Sequence, residues 1–174
     1  MASINLRSMH PLLRPISNLP DFLHGEEIIV VSGGLDVLKG VALSMEEGDR
    51  ADGISFPEAR ARFMAARRIL RFALSKWRAA DPSELEIIPD ENGKPFFLVA
   101  NDPIHFSITH SSDHIAVAFS LNRIGLDLEQ VREVDGAALA TRFLSPEEAA
   151  RVAQSEDPNL FFKLWTCREA AIKA

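Results

Sequence analysis

From Pro57 to about Ala80, Ala59, Phe63, Ala66, Leu70, Ala73, Leu74 and Trp77 recur at helical spacing, and this stripe constrains the fold more than any other stretch. A helix of that length with one apolar face must bury it against another layer. Asp81 and Pro82 end the pattern. Arg60, Arg67, Arg71 and Arg78 share a second stripe beside the apolar face, and Arg67 and Arg71 read as structural or surface residues. Arg62 falls elsewhere, inside the apolar arc near Ile69 and Ala73. Either it snorkels, with its stem packed and its head in water, or it aims its guanidinium at a bound phosphate. Periodicity alone favours snorkelling.

The flanking segments supply strands and further helices. EIIVV at 27–31 reads as a buried strand ending at Ser32, Gly33 and Gly34, and LSMEEGDRADGISF as a capped helical segment interrupted at Gly53. In NGKPFFL, Asn92 and Gly93 form a turn carrying Lys94, and Pro95 keeps the following strand from a central place in a sheet. HFSITHS, HIAVAFS and IGLDLEQV then read as a three-strand meander. FLSPEEAARVA is a helix with Ser145 as N-cap, Pro146 in its first position and Glu148 closing a capping box; NLFFKLWTCREAAIKA is a last amphipathic helix. LSMEE at 43–47 is echoed by LSPEE at 144–148, which suggests two related α+β halves with a site at their seam. The expected division is an N-terminal extension over 1–26, one lobe over 27–104 and a second over 105–174.

A hydrophobic content of 47% with 25% charged residues in 174 residues suits a globular domain with a real core. The lone Cys167 excludes an internal disulfide framework and a multi-cysteine zinc site, which makes the cytoplasm the expected location. The first residues show no signal-peptide pattern, and no membrane span is evident. A net charge of -6 argues against a nucleic-acid partner, but the charge is uneven. Residues 56–80 hold seven Lys or Arg against Glu58 alone, whereas 125–157 hold eight acids against Arg132, Arg142 and Arg151. Such halves suit a polyanion and a metal respectively, although solvated helix faces give the same count.

In the pentad GLDLE, residues 125–129, strand alternation turns Leu126 and Leu128 inward and projects Asp127 and Glu129 together, with Cα atoms roughly 6 to 7 Å apart. Two carboxylates that close are either well solvated at an exposed edge or share a hard divalent cation. Glu169 and Lys173, four apart on the last helix, share a face with Phe162 and Thr166; by themselves they are an ordinary helical ion pair. His110 and His114 have a spacing of four that suits zinc on a helix, not on a strand and turn.

Taken in order, FSITHS, GLDLE and FFKLWTCREAAIKA resemble the 4'-phosphopantetheinyl transferases, specifically the larger two-lobed, surfactin-synthetase-activating type. The resemblance reaches back to NGKPFF and covers most of 27–174. Ser107, Thr109 and Arg168 stand where the family pattern usually has Asn, Ser and Lys. It implies two pseudo-symmetric α/β lobes, and Mg2+-dependent transfer of 4'-phosphopantetheine from coenzyme A to a serine of an apo acyl- or peptidyl-carrier protein, releasing adenosine 3',5'-bisphosphate. Metal ligation then carries over to Asp127, Glu129 and Glu169. Catalytic roles fall to Glu169, Lys173 and His110: Glu169 also accepts the serine proton and Lys173 neutralises a phosphate oxygen. Thr109 and His110 contact phosphate, Arg62 and Lys94 hold the 3'-phosphate, and Arg50 is a further candidate for it. Two rival readings are a non-catalytic module binding coenzyme A or a carrier protein, and a metal-dependent phosphoesterase built on Asp127 and Glu129. The family pattern runs past the lysine into further strands, whereas the sequence ends at Ala174 with Ile172 on the apolar side. The expectation is an incomplete C-terminal lobe with a bare sheet edge and an apolar strip, leading to self-association or to marginal stability.

Overall fold

A computed structural model of the chain describes residues 13–14, 16–21, 23–91, 93–97 and 104–174. Residues 1–12 of the expected extension and Asn92 of the expected turn lie outside them. The main sheet has the order β1 (Leu13–Arg14), β2 (Ile29–Gly34), β6 (His114–Ser120), β5 (His105–Ser111), with β1 parallel to β2 and the other pairs antiparallel. A tight turn through Ser112, at φ +51°, joins β5 to β6. β3 (Ile87–Pro89) and β4 (Pro95–Phe97) make a separate two-stranded sheet, where Pro95 withholds no interior ladder hydrogen bond.

The long helix is α2 (Pro57–Arg78), ended by a left-handed Ala79. Ala65, Ile69, Leu70, Ala73, Leu74 and Trp77 pack on Ile29, Val31, Phe106, Ile115, Val117 and Phe119 from one sheet face, and the Trp77 ring meets Phe119 edge-on at 5.0 Å. Ala59 and Phe63, from the expected stripe, are only half-buried. β2 from the first expected half and the β5–β6 hairpin from the second therefore share one sheet and one core.

Arg71 is 1% exposed, and its guanidinium donates to Glu47 Oε2 at 2.6 Å, to the Leu85 carbonyl at 3.1 Å and to the Pro82 carbonyl. Glu47 belongs to α1 (Met45–Asp52), whose N-cap Ser44 accepts from Glu47 N. Arg67 Nε lies 3.5 Å from the other Glu47 oxygen, so Arg67 and Arg71, two of the four arginines of the stripe, are structural. The echo segment forms the expected capping box on α4 (Pro146–Gln154): Ser145 Oγ accepts from Glu148 N, and Glu148 Oε2 accepts from Ser145 N. The same S-x-x-E pattern thus caps two helices, but only Glu47 turns inward to arginine.

A helix absent from the sequence reading, α3 (Gly136–Phe143), is capped by Asp135. With α4 and α5 (Leu160–Lys173) it builds a second core around Ala140, Leu144, Phe161 and Phe162. Ile172, on the apolar side of the sequence pattern, is 70% exposed.

The expected third strand of the meander is not one. Residues 121–135 make no ladder pairing, yet Ile124, Leu126 and Leu128 pack on Val30, Ala116 and Ala118, covering the sheet face opposite α2. Small alanines let an irregular backbone approach closely there. The inward turn of Leu126 and Leu128 is as expected; the ladder is replaced by side-chain bonds.

Candidate active site

Those bonds come from β5. Successive side chains of a strand alternate faces, so Ser107, Thr109 and Ser111 form one column. Ser107 Oγ accepts from Leu126 N at 3.0 Å, Thr109 Oγ1 donates to Asp127 Oδ1 at 3.2 Å, and Ser111 Oγ accepts from Gln130 N at 2.9 Å. A Cβ on Gly125 would sit 1.7 Å from the Ala170 carbonyl oxygen, so only glycine lets this segment pass under the last turns of α5.

That approach brings Lys173 to Asp127. The lysine Nζ lies 2.5 Å from Asp127 Oδ1, across the interface, and not on Glu169 one turn back along its own helix. The Asp127 side chain is 8% exposed, and its Oδ2 is buried without a hydrogen-bond partner. Lys94, just before β4, donates to the Lys173 carbonyl, and Arg123 Nε donates to the Ala174 carbonyl at 3.0 Å, so two cations meet the negative end of α5. His110, at the end of β5, lies in the fields of Arg62, Lys173 and Asp127. Partial burial first, and then the Arg62 and Lys173 charges, hold its imidazole below the usual histidine range. Half-buried Arg62, on α2, is thus one of the charges that act on His110.

The family model for the 4'-phosphopantetheinyl transferase superfamily matches residues 123–174. The 4'-phosphopantetheinyl transferase HetI of Nostoc sp. is 36% identical over 139 residues, 76% of this chain and 59% of its own length. The transferase gsp of Aneurinibacillus migulanus is 36% identical over 98 residues (50% and 40%), and Sfp of Bacillus subtilis 28% over 146 (75% and 64%). Residues 123–174 carry the superfamily pattern, and the chain is similar to 4'-phosphopantetheinyl transferases over most of its length. It spans about 59% of the length of HetI and less than two thirds of the other two. A solved holo-(acyl-carrier-protein) synthase from Bacillus anthracis shares 21% identity over 53% of this chain at a TM-score of 0.44, too little to transfer geometry.

The matched superfamily segment holds Asp127, Glu129, Glu169 and Lys173; His110, Thr109, Lys94 and Arg62 lie outside it in sequence. Glu129 and Glu169 are half-buried. Among the described residues, no three His, Cys, Asp or Glu side chains are gathered closely enough to hold a metal, so the three carboxylates are not assembled into one cluster. The unpartnered Asp127 Oδ2 is nevertheless an oxygen of the kind a hard divalent cation takes. Arg50 is placed over the Phe63 ring, 5.4 Å from its centroid, with Arg67 5.3 Å from the same ring. Sequence reasoning missed Ser107 and Ser111 as anchors and Gly125 as a contact point. The alternation of hydroxyls in FSITHS was the available signal for the first two.

Proposed function

We propose that this chain transfers the 4'-phosphopantetheine arm of coenzyme A to a serine of an apo acyl- or peptidyl-carrier protein in a Mg2+-dependent reaction that releases adenosine 3',5'-bisphosphate. The observation that carries the reading is the meeting of Lys173 with Asp127 beside Thr109. Asp127, Glu129 and Glu169 would hold a magnesium ion, which when bound would supply charge neutralisation at the pyrophosphate. Lys173, within reach of Asp127, offers its ammonium to a phosphate oxygen as the nucleotide departs. Glu169, one turn back on the same helix face, accepts the proton of the carrier serine. His110, favoured in its neutral form by its surroundings, donates or accepts one hydrogen bond at a phosphate without adding charge.

Arg62 and Lys94, with Arg50 as a further member, take the 3'-phosphate. A two-lobed architecture of the surfactin-synthetase-activating type and a cytoplasmic location belong to the same reading. Among the described residues no helix is long and apolar enough to cross a membrane.

The test is chromatography of a mixture of the protein, coenzyme A and an apo carrier protein, with Mg2+ or with a chelator. Adenosine 3',5'-bisphosphate appears only with Mg2+, and is lost in Glu169→Gln. For the 3'-phosphate, Arg62→Ala weakens coenzyme A by about 1.5 to 3 kcal/mol and dephospho-coenzyme A far less. Equal losses in the two titrations return Arg62 to snorkelling.

A further inference from the structure

The column Ser107–Thr109–Ser111 does different work at its three positions. Thr109 reaches the Asp127 carboxylate itself. Ser107 and Ser111 reach only backbone: the N–H of Leu126, immediately before Asp127, and the N–H of Gln130, immediately after Glu129. Gln130 is tied a second time, its Oε1 accepting from Ser112 Oγ at 2.5 Å. The two backbone anchors therefore bracket the carboxylate pair. Among the described residues the segment makes no ladder; it is otherwise held by the packing of Ile124, Leu126 and Leu128, by the passage of Gly125 under α5 and by the bonds of Thr109 and Lys173 to the Asp127 carboxylate.

We propose that Ser107 and Ser111 are positioning residues for the acidic pair, fixing the register of 126–130 on β5 so that Asp127 and Glu129 present their oxygens to one divalent cation. The inference rests on the metal role proposed above for that pair. An irregular segment without a ladder has free φ and ψ on both sides of each carboxylate. Pinning the peptide before the first and the peptide after the second removes most of that freedom before the cation arrives, which is how supporting hydrogen bonds tune a metal site without touching the metal.

The test is Mn2+ binding to the full chain, read by electron paramagnetic resonance, for the wild type, Ser107→Ala, Ser111→Ala, Ser111→Thr and Asp127→Asn, with coenzyme A binding in the absence of metal measured in parallel. Each alanine variant weakens Mn2+ roughly threefold to tenfold, the loss set by one neutral hydrogen bond. Ser111→Thr keeps the hydroxyl and restores wild-type binding, and metal-free coenzyme A affinity stays at the wild-type value in all three serine variants. Ser107 is buried, so if Ser107→Ala does not fold, half-buried Ser111 decides the matter. Loss of Mn2+ in Asp127→Asn with wild-type binding in Ser111→Ala overturns the positioning role alone. Wild-type Mn2+ binding in Asp127→Asn overturns the metal reading, and this inference with it.

Discussion

Asp127 has two oxygens in opposite situations, one shared by Lys173 and Thr109 and one buried without a partner. At the end of β5, His110 answers to the charges of Lys173 and Asp127 as well. Its imidazole is depressed below the ordinary value near 6.5 by burial first, then by Arg62 and Lys173, while a backbone hydrogen bond and Asp127 pull the other way. NMR titration of the ring finds His110 below that value, and Arg62→Ala raises it without restoring it fully, since burial is the larger cause. The sign for stability follows. The folded value is the lower one, so the contribution is complete above about 6.5 and is lost as pH falls from there towards the folded value, where the native ring protonates too. His110→Gln removes that slope from urea midpoints measured across the window. An Arg62→Ala titration unchanged from wild type would detach Arg62 from the site.

At the scale of elements, two contacts decide how α2 and α5 sit. Gly125→Ala places a methyl against the Ala170 carbonyl, a contact of 1.7 Å that only displacement of α5 or of the segment relieves. Overpacking of this kind costs about 1 to 3 kcal/mol, read as a lower melting temperature, together with loss of transfer because Lys173 moves from Asp127. On the other side, Glu47→Ala leaves Arg67 and Arg71 buried without their carboxylate and destabilises by about 3 to 5 kcal/mol in denaturant unfolding. A loss below 1 kcal/mol would show that the carbonyls of Pro82 and Leu85 suffice for Arg71.

These elements also show what a sequence exposes. The α2 stripe and both S-x-x-E caps were legible because helical spacing and capping are local. GLDLE alternates like a strand, and its leucines do turn inward, but a ladder depends on a neighbouring strand with free hydrogen bonds, which local alternation does not report. Arg62 was ambiguous for the same reason: its stripe position is a property of α2, whereas its role depends on the end of β5.

Across the whole molecule, β2 and the hairpin form one sheet, α2 covers one face, and the 124–128 segment with α5 lies over the other. Arg62 of the basic helix, Lys173 and Asp127 of the acidic segment all exert their charge on His110 at one end of β5. That arrangement fits a cosubstrate with several phosphates near a carboxylate-held cation. The family motifs pointed to most of these residues; their convergence, and the hydroxyl column that replaces a ladder, became visible only in three dimensions. The most direct measurement is the intact mass of an apo carrier protein incubated with coenzyme A, Mg2+ and this protein, beside the Asp127→Asn variant. The account predicts a gain of one phosphopantetheine mass with the wild type and none with the variant. An unmodified carrier protein in the presence of wild-type protein that demonstrably binds coenzyme A, or equal modification by both proteins, would contradict it.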